Sequence, residues 1–304
     1  VPNMQEIKFA KMVASGNDFV VIEMSRRLPV DTAGRSWRSL VKSVCNRKFG
    51  IGADGVLILE RPARAADVWM RIFNPDGSEA EMCGNGARCT ALYISRYCIT
   101  ASQKSLLKLQ TIAGVIEARV SRNSARIKLT DPKDIKLDVP LKINPVRNTK
   151  FSNHQNKISN GANYRLLKVN LINTGVPHTV IFVEDLNKID IVNLGRQIRK
   201  HRRFKPRGTN VDFVEALSNN SIKVRTYERG VEDETLACGT GAVAGAIMLI
   251  AKLLNCQTVK HRIDVHTQSG EILKVYFKRQ KDKFTDVWLE GKAKIVYKGE
   301  YYVK

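Results

Sequence analysis

The chain is written twice. Three short segments recur in the same order in its two halves at nearly constant separation. They are Gly16-Asn17-Asp18-Phe19-Val20-Val21-Ile22-Glu23 against Gly175-Val176-Pro177-His178-Thr179-Val180-Ile181-Phe182-Val183-Glu184, Gly52-Ala53-Asp54 against Gly208-Thr209-Asn210, and Cys83-Gly84-Asn85-Gly86-Ala87 against Cys238-Gly239-Thr240-Gly241-Ala242. One such match arises by chance, whereas three collinear ones point to a duplicated domain. The 304 residues then divide into halves of about 150, an ordinary domain size, with a cleft expected between them.

The halves share an order of elements as well. Each opens on a glycine-containing strand pair, followed by apolar residues at three-and-four spacing over Thr32–Cys45 and Ile191–His201, which predict amphipathic helices. Strands over Val56–Leu59 and Asn210–Glu215 lead to the Cys-Gly-x-Gly-Ala motif, and second helices follow at Ala87–Tyr97 and Ala242–Leu254. The later one is apolar on every side, so protein must surround it. Alternating runs over Ser105–Leu129 and Arg262–Lys278 predict antiparallel hairpins. The fold class is α+β: two pseudo-symmetric domains, each a curved, mostly antiparallel sheet wrapped around a central buried helix. Residues 1–135 form the first half and 136–292 the second, with 293–304 a strand returning to the first. An asparagine-rich stretch, 144–163, has no apolar period and reads as a surface insertion or linker.

Composition narrows the class. With 43% hydrophobic and 26% charged residues the chain can bury a core. The longest uncharged stretch, Thr235–Ala251, contains three glycines and falls short of the roughly 20 apolar residues that span a bilayer. Val1–Lys11 lacks the continuous apolar core of a secretory signal, so a cytoplasmic protein without membrane contact is expected. Six cysteines without a C-x-x-C pair suggest reduced thiols, and scattered histidines give no reason to expect a metal. The net charge of +22 raises the question of a polyanion partner. Beyond one basic run, Arg196–Arg207, the excess is spread along the chain, so a solvated basic face is the better reading and nucleic-acid binding is not expected.

The repeated cysteines carry the chemistry. A thiol followed by Gly-x-Gly at a helix start sits where unpaired N–H groups and the helix dipole concentrate positive potential, a position expected to lower its pKa. The glycines let an anion approach those N–H groups. A lone Cys-Gly is better read as an inert thiol beside a turn, but that leaves the pair unexplained. Cys45, Cys89, Cys98 and Cys256 have no counterpart at the repeat offset and read as core or surface thiols. Two equivalent acid/base groups facing one pseudo-symmetric cleft suit a reaction that takes a proton from one face of a carbon and returns one to the other, which is racemisation or epimerisation.

The motifs together resemble the diaminopimelate epimerases. The resemblance covers nearly the whole chain outside the insertion. It rests on Ser15-Gly16-Asn17-Asp18-Phe19, Gly50-Ile51-Gly52-Ala53-Asp54-Gly55, Phe73-Asn74-Pro75-Asp76-Gly77-Ser78-Glu79 through Met82-Cys83-Gly84-Asn85-Gly86-Ala87-Arg88-Cys89, Gly175-Val176-Pro177-His178, Gly208-Thr209-Asn210-Val211, and Tyr227-Glu228-Arg229-Gly230 through Ala237-Cys238-Gly239-Thr240-Gly241. It implies conversion of LL- to meso-diaminopimelate, in lysine and peptidoglycan precursor biosynthesis, with neither pyridoxal phosphate nor metal. Cys83 and Cys238 would be base and acid, His178 and Glu228 would orient or polarise a thiol, and the amides of Gly84, Asn85, Gly239 and Thr240 would hold the reacting carboxylate with Asn17 nearby. Asn74, Asn210 and Arg229 would read the distal end of the substrate. The resemblance also implies a homodimer. Two positions depart from the pattern: Val176 stands where many relatives carry an asparagine that helps bind the distal group, and Gly55 where some carry a glutamine. The alternatives are a racemase of another amino acid, such as histidine, and, from a different class, a thiol redox or polyanion-binding protein using Cys83 and Cys89 or the basic run. The repeat does not support a redox pair, since the counterpart of Cys89 is Ala244.

Overall fold

A computed structural model of the chain describes residues 5–24, 37–63, 65–98, 101, 103–144, 156–158, 164–253 and 259–303. The chain forms two compact units, Val1–Lys128 with Glu290–Lys304, and Leu129–Leu289. In chain order the first unit contains β1 (Gln5–Ala14), β2 (Asn17–Glu23), α1 (Trp37–Cys45), β3 (Gly55–Glu60), β4 (Val68–Phe73), β5 (Glu79–Ala80), α2 (Gly84–Tyr97), β6 (Leu107–Thr111), β7 (Gly114–Ser121) and β8 (Ser124–Lys128). The second contains β9 (Lys133–Ile143), β10 (Asn156–Ile158), β11 (Arg165–Asn173), β12 (Pro177–Val183), α3 (Ile191–Arg199), β13 (Asn210–Ser218), β14 (Ser221–Glu228), β15 (Asp233–Thr235), α4 (Gly239–Lys252), β16 (Val259–His266) and β17 (Ile272–Gln280). The chain then runs through β18 (Lys283–Lys292) and ends on β19 (Lys294–Val303).

The duplication is visible in strand pairing. In the first unit β1 pairs antiparallel with β2, β3 with β4, β4 with β5, β6 with β7 and β7 with β8. In the second, β11 pairs antiparallel with β12, β13 with β14, β14 with β15 and β16 with β17. Two parallel pairs in each unit, β2–β3 and β4–β6 against β12–β13 and β14–β16, were not foreseen. A parallel pair needs a crossover, and α1, α2, α3 and α4 supply the four. Local periodicity reports each strand but not its partner, which is why these pairings were hidden. The ninth strands are exchanged: β9 follows β8 in sequence yet pairs with β11, while β19 follows β18 yet pairs with β1.

Each motif helix is the axis of its unit. α2 touches β1, β2, β3, β4, β6, β7, β8 and β19, and α4 touches β11, β12, β13, β14, β16 and β17. In α4 every residue from Gly241 to Ile250 is buried, as its all-round apolar sequence requires. The amphipathic helices cover the opposite sheet faces: Leu40, Val41 and Val44 of α1 join Val20, Val56 and Phe73, and Leu194 and Ile198 of α3 join Val211, Phe213 and Tyr227. Part of the asparagine-rich stretch is structured, because Asn156–Ile158 pairs with Arg165–Leu167 of β11 through backbone hydrogen bonds that need no apolar side chains. Within the basic run, Arg199 turns onto Glu232 at 2.9 Å. Cys256 lies outside the described residues. Among the described residues no helix is long and apolar enough to cross a membrane.

Candidate active site

Cys83 and Cys238 occupy the same place in their units. Each is the N-cap of its central helix, in extended backbone conformation, with its sulfur accepting a hydrogen bond from the N–H three residues on: Gly86 to Cys83 Sγ and Gly241 to Cys238 Sγ, both 3.4 Å. The cap carbonyls accept from Ala87 at 2.8 Å and Ala242 at 2.9 Å. A capping side chain satisfies one orphan donor of the first turn and leaves others for a ligand. Both cysteines are half-buried, whereas Cys45 and Cys89 are buried, and burial pushes the Cys45 thiol up to about 11. Cys98 is the C-cap of α2.

The fourth residue of each motif is glycine for steric reasons. A Cβ on Gly86 would meet Leu57 Cδ2 at 3.0 Å, and one on Gly241 would meet Asp212 Oδ1 at 2.3 Å and Thr226 Oγ1 at 2.9 Å. Leu57 and Asp212 are therefore counterparts, and the register of β3 on β4 and of β13 on β14 agrees. By the same register Asn210 corresponds to Gly55, one residue off the sequence match to Asp54. A Cβ on Gly55 would meet the Phe73 carbonyl oxygen at 2.8 Å, so this backbone has no room there for the glutamine of some relatives.

In the second unit the predicted residues come together on one sheet face. His178 on β12 lies opposite Asn210 on β13, and Asp212, two residues on, lies opposite Thr226 of β14. Side chains two apart share a face, so these polar groups, with Glu228 two beyond Thr226, line the side of the sheet that meets the start of α4. His178 is 1% exposed, and its Nδ1 stands 2.7 Å from Asp212 Oδ2. Asn210 approaches His178 Nε2 with its amide nitrogen at 3.4 Å and accepts from the Arg229 N–H at 2.8 Å. Thr240 Oγ1 lies 3.4 Å from Cys238 Sγ, and the Thr240 carbonyl accepts from Thr174 Oγ1 at 3.1 Å.

Electrostatics here reverse the expectation from the helix start. Cys238 keeps some accessible surface, yet protein crowds the sulfur enough that burial is the largest cause of a thiol pushed well above its ordinary value. The Glu228 carboxylate is next and Asp212 after it, while hydrogen bonds from Thr240 and Gly241 act weakly the other way. Desolvation and like charge outweigh the dipole. Glu228 itself is raised, mainly by burial. Removing the Glu228 charge in Glu228→Gln is expected to favour the thiolate of Cys238, speeding its alkylation by iodoacetamide at pH 8 about three- to tenfold. Peptide mass spectrometry of a time course measures this, and a slower reaction contradicts it.

In the first unit the supporting groups differ. Asn85, in the first turn of α2, donates to Asn17 Oδ1 at 2.5 Å, and Asn17 donates to Asp54 Oδ2 at 3.3 Å. Arg88, fully buried one turn further on, donates to Asn85 Oδ1 at 2.8 Å and to Ser15 Oγ at 2.5 Å. Asp54 is held in turn by Arg47, which also forks onto Asp18, and Asp18 pairs with buried Lys11 at 2.8 Å. Asn17 and Asn85 thus converge on the motif helix, but each holds the other. Asn74 lies elsewhere, on the exposed turn between β4 and β5, donating to Ser78 Oγ at 3.0 Å. Val176 takes part through its carbonyl, which accepts from Thr174 N–H at 3.1 Å.

Sequence reasoning missed Asp212 and Thr226, and gave Arg88 no role. Asp212 did leave a signal: an acidic residue inside the apolar run Val211-Asp212-Phe213-Val214 has to find a partner when buried. Among the described residues no group of three or more His, Cys, Asp and Glu side chains is arranged to hold a metal ion.

Comparison with known proteins agrees with the doubled architecture. The family model for diaminopimelate epimerase matches residues 9–133 and again 170–296. The diaminopimelate epimerase of Methanocella arvoryzae is 41% identical over 300 residues, 98% of this chain and 97% of that one. That of Aquifex aeolicus is 40% identical over 297 residues, 96% and 97% of the two chains. Solved structures share the fold at low identity. A phenazine biosynthesis protein of the PhzF family from Bacillus anthracis has a TM-score of 0.70 at 16% identity, covering 99% of this chain and 100% of that one. A hydroxyproline epimerase from Agrobacterium vitis has 0.66 at 14%, covering 100% and 93%. Matched in both halves by the family model and along almost its whole length by named members, the chain belongs to the diaminopimelate epimerase family.

Proposed function

We propose that the protein interconverts LL- and meso-diaminopimelate by inverting one Cα with two thiols, Cys83 and Cys238, one taking the proton and the other delivering one. The observation that carries this is the repeated cap: two half-buried cysteines, each at the start of a central helix, each with its sulfur on the N–H of the glycine three residues on. The Cα–H of an amino acid is a weak acid, so charge flowing into the carboxylate must be stabilised. First-turn amides at Gly84, Asn85, Gly239 and Thr240 are suited to that role. One thiol must begin each turnover protonated, and the raised Cys238 fits the proton donor. His178 and Glu228 each orient or polarise a thiol, Glu228 standing nearest in effect to Cys238, and Arg229 reads the distal carboxylate by a charge-assisted fork. Both cysteines must be reduced to work, which suits a reducing compartment such as the cytoplasm.

A substrate panel run without added cofactor tests the assignment. LL-diaminopimelate is expected to give the meso isomer, with histidine and proline enantiomers left unchanged. Turnover of histidine but not of diaminopimelate would move the chain to the racemase alternative, and turnover of none would end the epimerase reading.

A further inference from the structure

The polar face of β12, β13 and β14 is not required by the fold, because the first unit is built without it. Where the second unit has His178, Asn210, Asp212 and Thr226, the matching register of β2, β3 and β4 has Phe19, Gly55, Leu57 and Ile72. Phe19, Leu57 and Ile72 are buried apolar side chains on the same kind of scaffold. Burying a histidine and an aspartate costs stability unless both are fully hydrogen-bonded, so their presence in one half alone points to a task.

Their geometry defines it. The His178 and Asp212 side chains have no accessible surface, and Nδ1 lies 2.7 Å from Oδ2. The other carboxylate oxygen, Oδ1, accepts from Thr226 Oγ1 at 2.8 Å, and the absence of a side chain on Gly241 makes the space for it. The carboxylate is thus fixed through both oxygens and cannot turn away from the ring. On the far side Asn210 directs its amide nitrogen at Nε2, at 3.4 Å, since its oxygen is engaged by the Arg229 N–H. An imidazolium would set its Nε2–H against that NH2 group, donor against donor, whereas the neutral ring with its proton on Nδ1 satisfies both neighbours.

We propose that Asp212 is a positioning residue for the epimerisation: it takes the Nδ1–H of His178 and so fixes the imidazole as the neutral tautomer whose lone pair is at Nε2. This rests on the functional reading above only for its consequence, which is that the basic lone pair is kept at Nε2, on the Asn210 side, where a thiol or an ammonium entering the site would take the place of the Asn210 amide as its donor. Thr226 and Gly241 serve the same end by holding the carboxylate. A carboxylate that sets tautomer and orientation without touching the reacting atoms is a recurrent arrangement for catalytic histidines.

The test combines long-range proton–nitrogen NMR of the histidine-labelled protein with steady-state kinetics on diaminopimelate. The wild-type protein is expected to show His178 protonated at Nδ1 and bare at Nε2 at pH 7. In Asp212→Asn that tautomer is expected to be lost and kcat to fall about 100-fold, with KM changed less than about threefold. Wild-type His178 protonated at Nε2 overturns the proposal, as does an Asp212→Asn enzyme that keeps kcat within about threefold after losing the tautomer. Should Asp212→Asn fail to fold, Thr226→Val leaves the carboxylate but frees Oδ1. A mixed tautomer population with kcat reduced about three- to tenfold is then expected, and no change in either overturns the proposal. The two readings fail separately: the expected tautomer in a wild-type protein that does not turn over diaminopimelate contradicts the reaction and leaves the tautomer assignment standing.

Discussion

Cys83→Ala and Cys238→Ala are each expected to lower kcat for diaminopimelate at least about 10⁴-fold while leaving the protein folded. In the proposed two-thiol reaction each substitution removes the acid or base on one face of the carbon, and the other thiol cannot do both jobs. General acid–base catalysis by one positioned group contributes about 10²–10⁴-fold, and here the missing proton transfer has no alternative carrier. Folding should survive, because the sulfur satisfies only one first-turn N–H in each helix, a loss of about 1 kcal/mol. Activity is measured by isomer-resolved chromatography and folding by circular dichroism. Retention of more than a few per cent of activity by either folded variant would remove that cysteine from the mechanism. Cys89→Ala, at a buried position with an alanine counterpart in the other half, is expected to be close to silent in the same assay.

The largest expected effect on stability lies at Asp18. Burial alone would raise its carboxyl, but hydrogen bonds from Arg47 and Lys11 and the Lys11 charge hold it well below the usual carboxylate range. Lys11 is 7% exposed, its ammonium donating to the Gly52 carbonyl and pairing with Asp18 at 2.8 Å. Asp18→Asn leaves that ammonium buried without its counter-charge, a change that costs about 2–3 kcal/mol once solvent screening of the partly exposed carboxylate is allowed for and lowers the melting temperature by roughly 5 °C. The solvated pair Lys8–Glu6, 3.8 Å apart at the surface, gives the contrast, since Glu6→Gln is expected to change stability by no more than about 0.5 kcal/mol. The sign with pH follows from the depressed folded pKa. The Asp18 contribution is whole above its unfolded pKa of about 4 and is lost as pH falls from there through the folded value. Urea unfolding at pH 7 and at low pH measures both, and the wild-type and Asp18→Asn curves should converge in acid. An Asp18→Asn protein as stable as wild type at pH 7 contradicts the account.

How much of this was legible before folding depended on whether the information was local. The repeated Cys-Gly-x-Gly-Ala gave both central helices and set each cysteine at a helix start, but the helices begin at Gly84 and Gly239 rather than Ala87 and Ala242, because the cysteine side chains cap the first turns. The apolar stretch after Cys238 gave the buried core of α4, again from local information. Pairing was not local: nothing in Val56–Leu59 says that its neighbour is parallel, and the exchange of β9 and β19 depends on contacts across the chain. The asparagine-rich stretch has a polar composition and no side-chain period to mark a strand, and Asn156–Ile158 pairs through its backbone. The site was legible as a list of residues and illegible as an electrostatic object. A helix start alone predicts a lowered thiol, and only the fold shows that Glu228 and Asp212 face Cys238 and raise it. Likewise Asn17 and Asn210 read from the sequence as ligand contacts, and the fold adds that the side chains of Asn17, Asn85 and Asn210 bond one another, His178 and the Arg229 backbone.

The central claim is that two thiols, one for each face, invert the carbon, and isotope transfer in heavy water measures it directly. Starting from LL-diaminopimelate, the proton removed stays on the first thiol while the second, already exchanged with solvent, delivers deuterium. Product formed at early times should therefore carry deuterium at the inverted carbon, and recovered substrate should remain largely unlabelled. Early substrate label equal to that in the product, or product that retains the original proton, would mean one shared base and contradict the paired roles of Cys83 and Cys238.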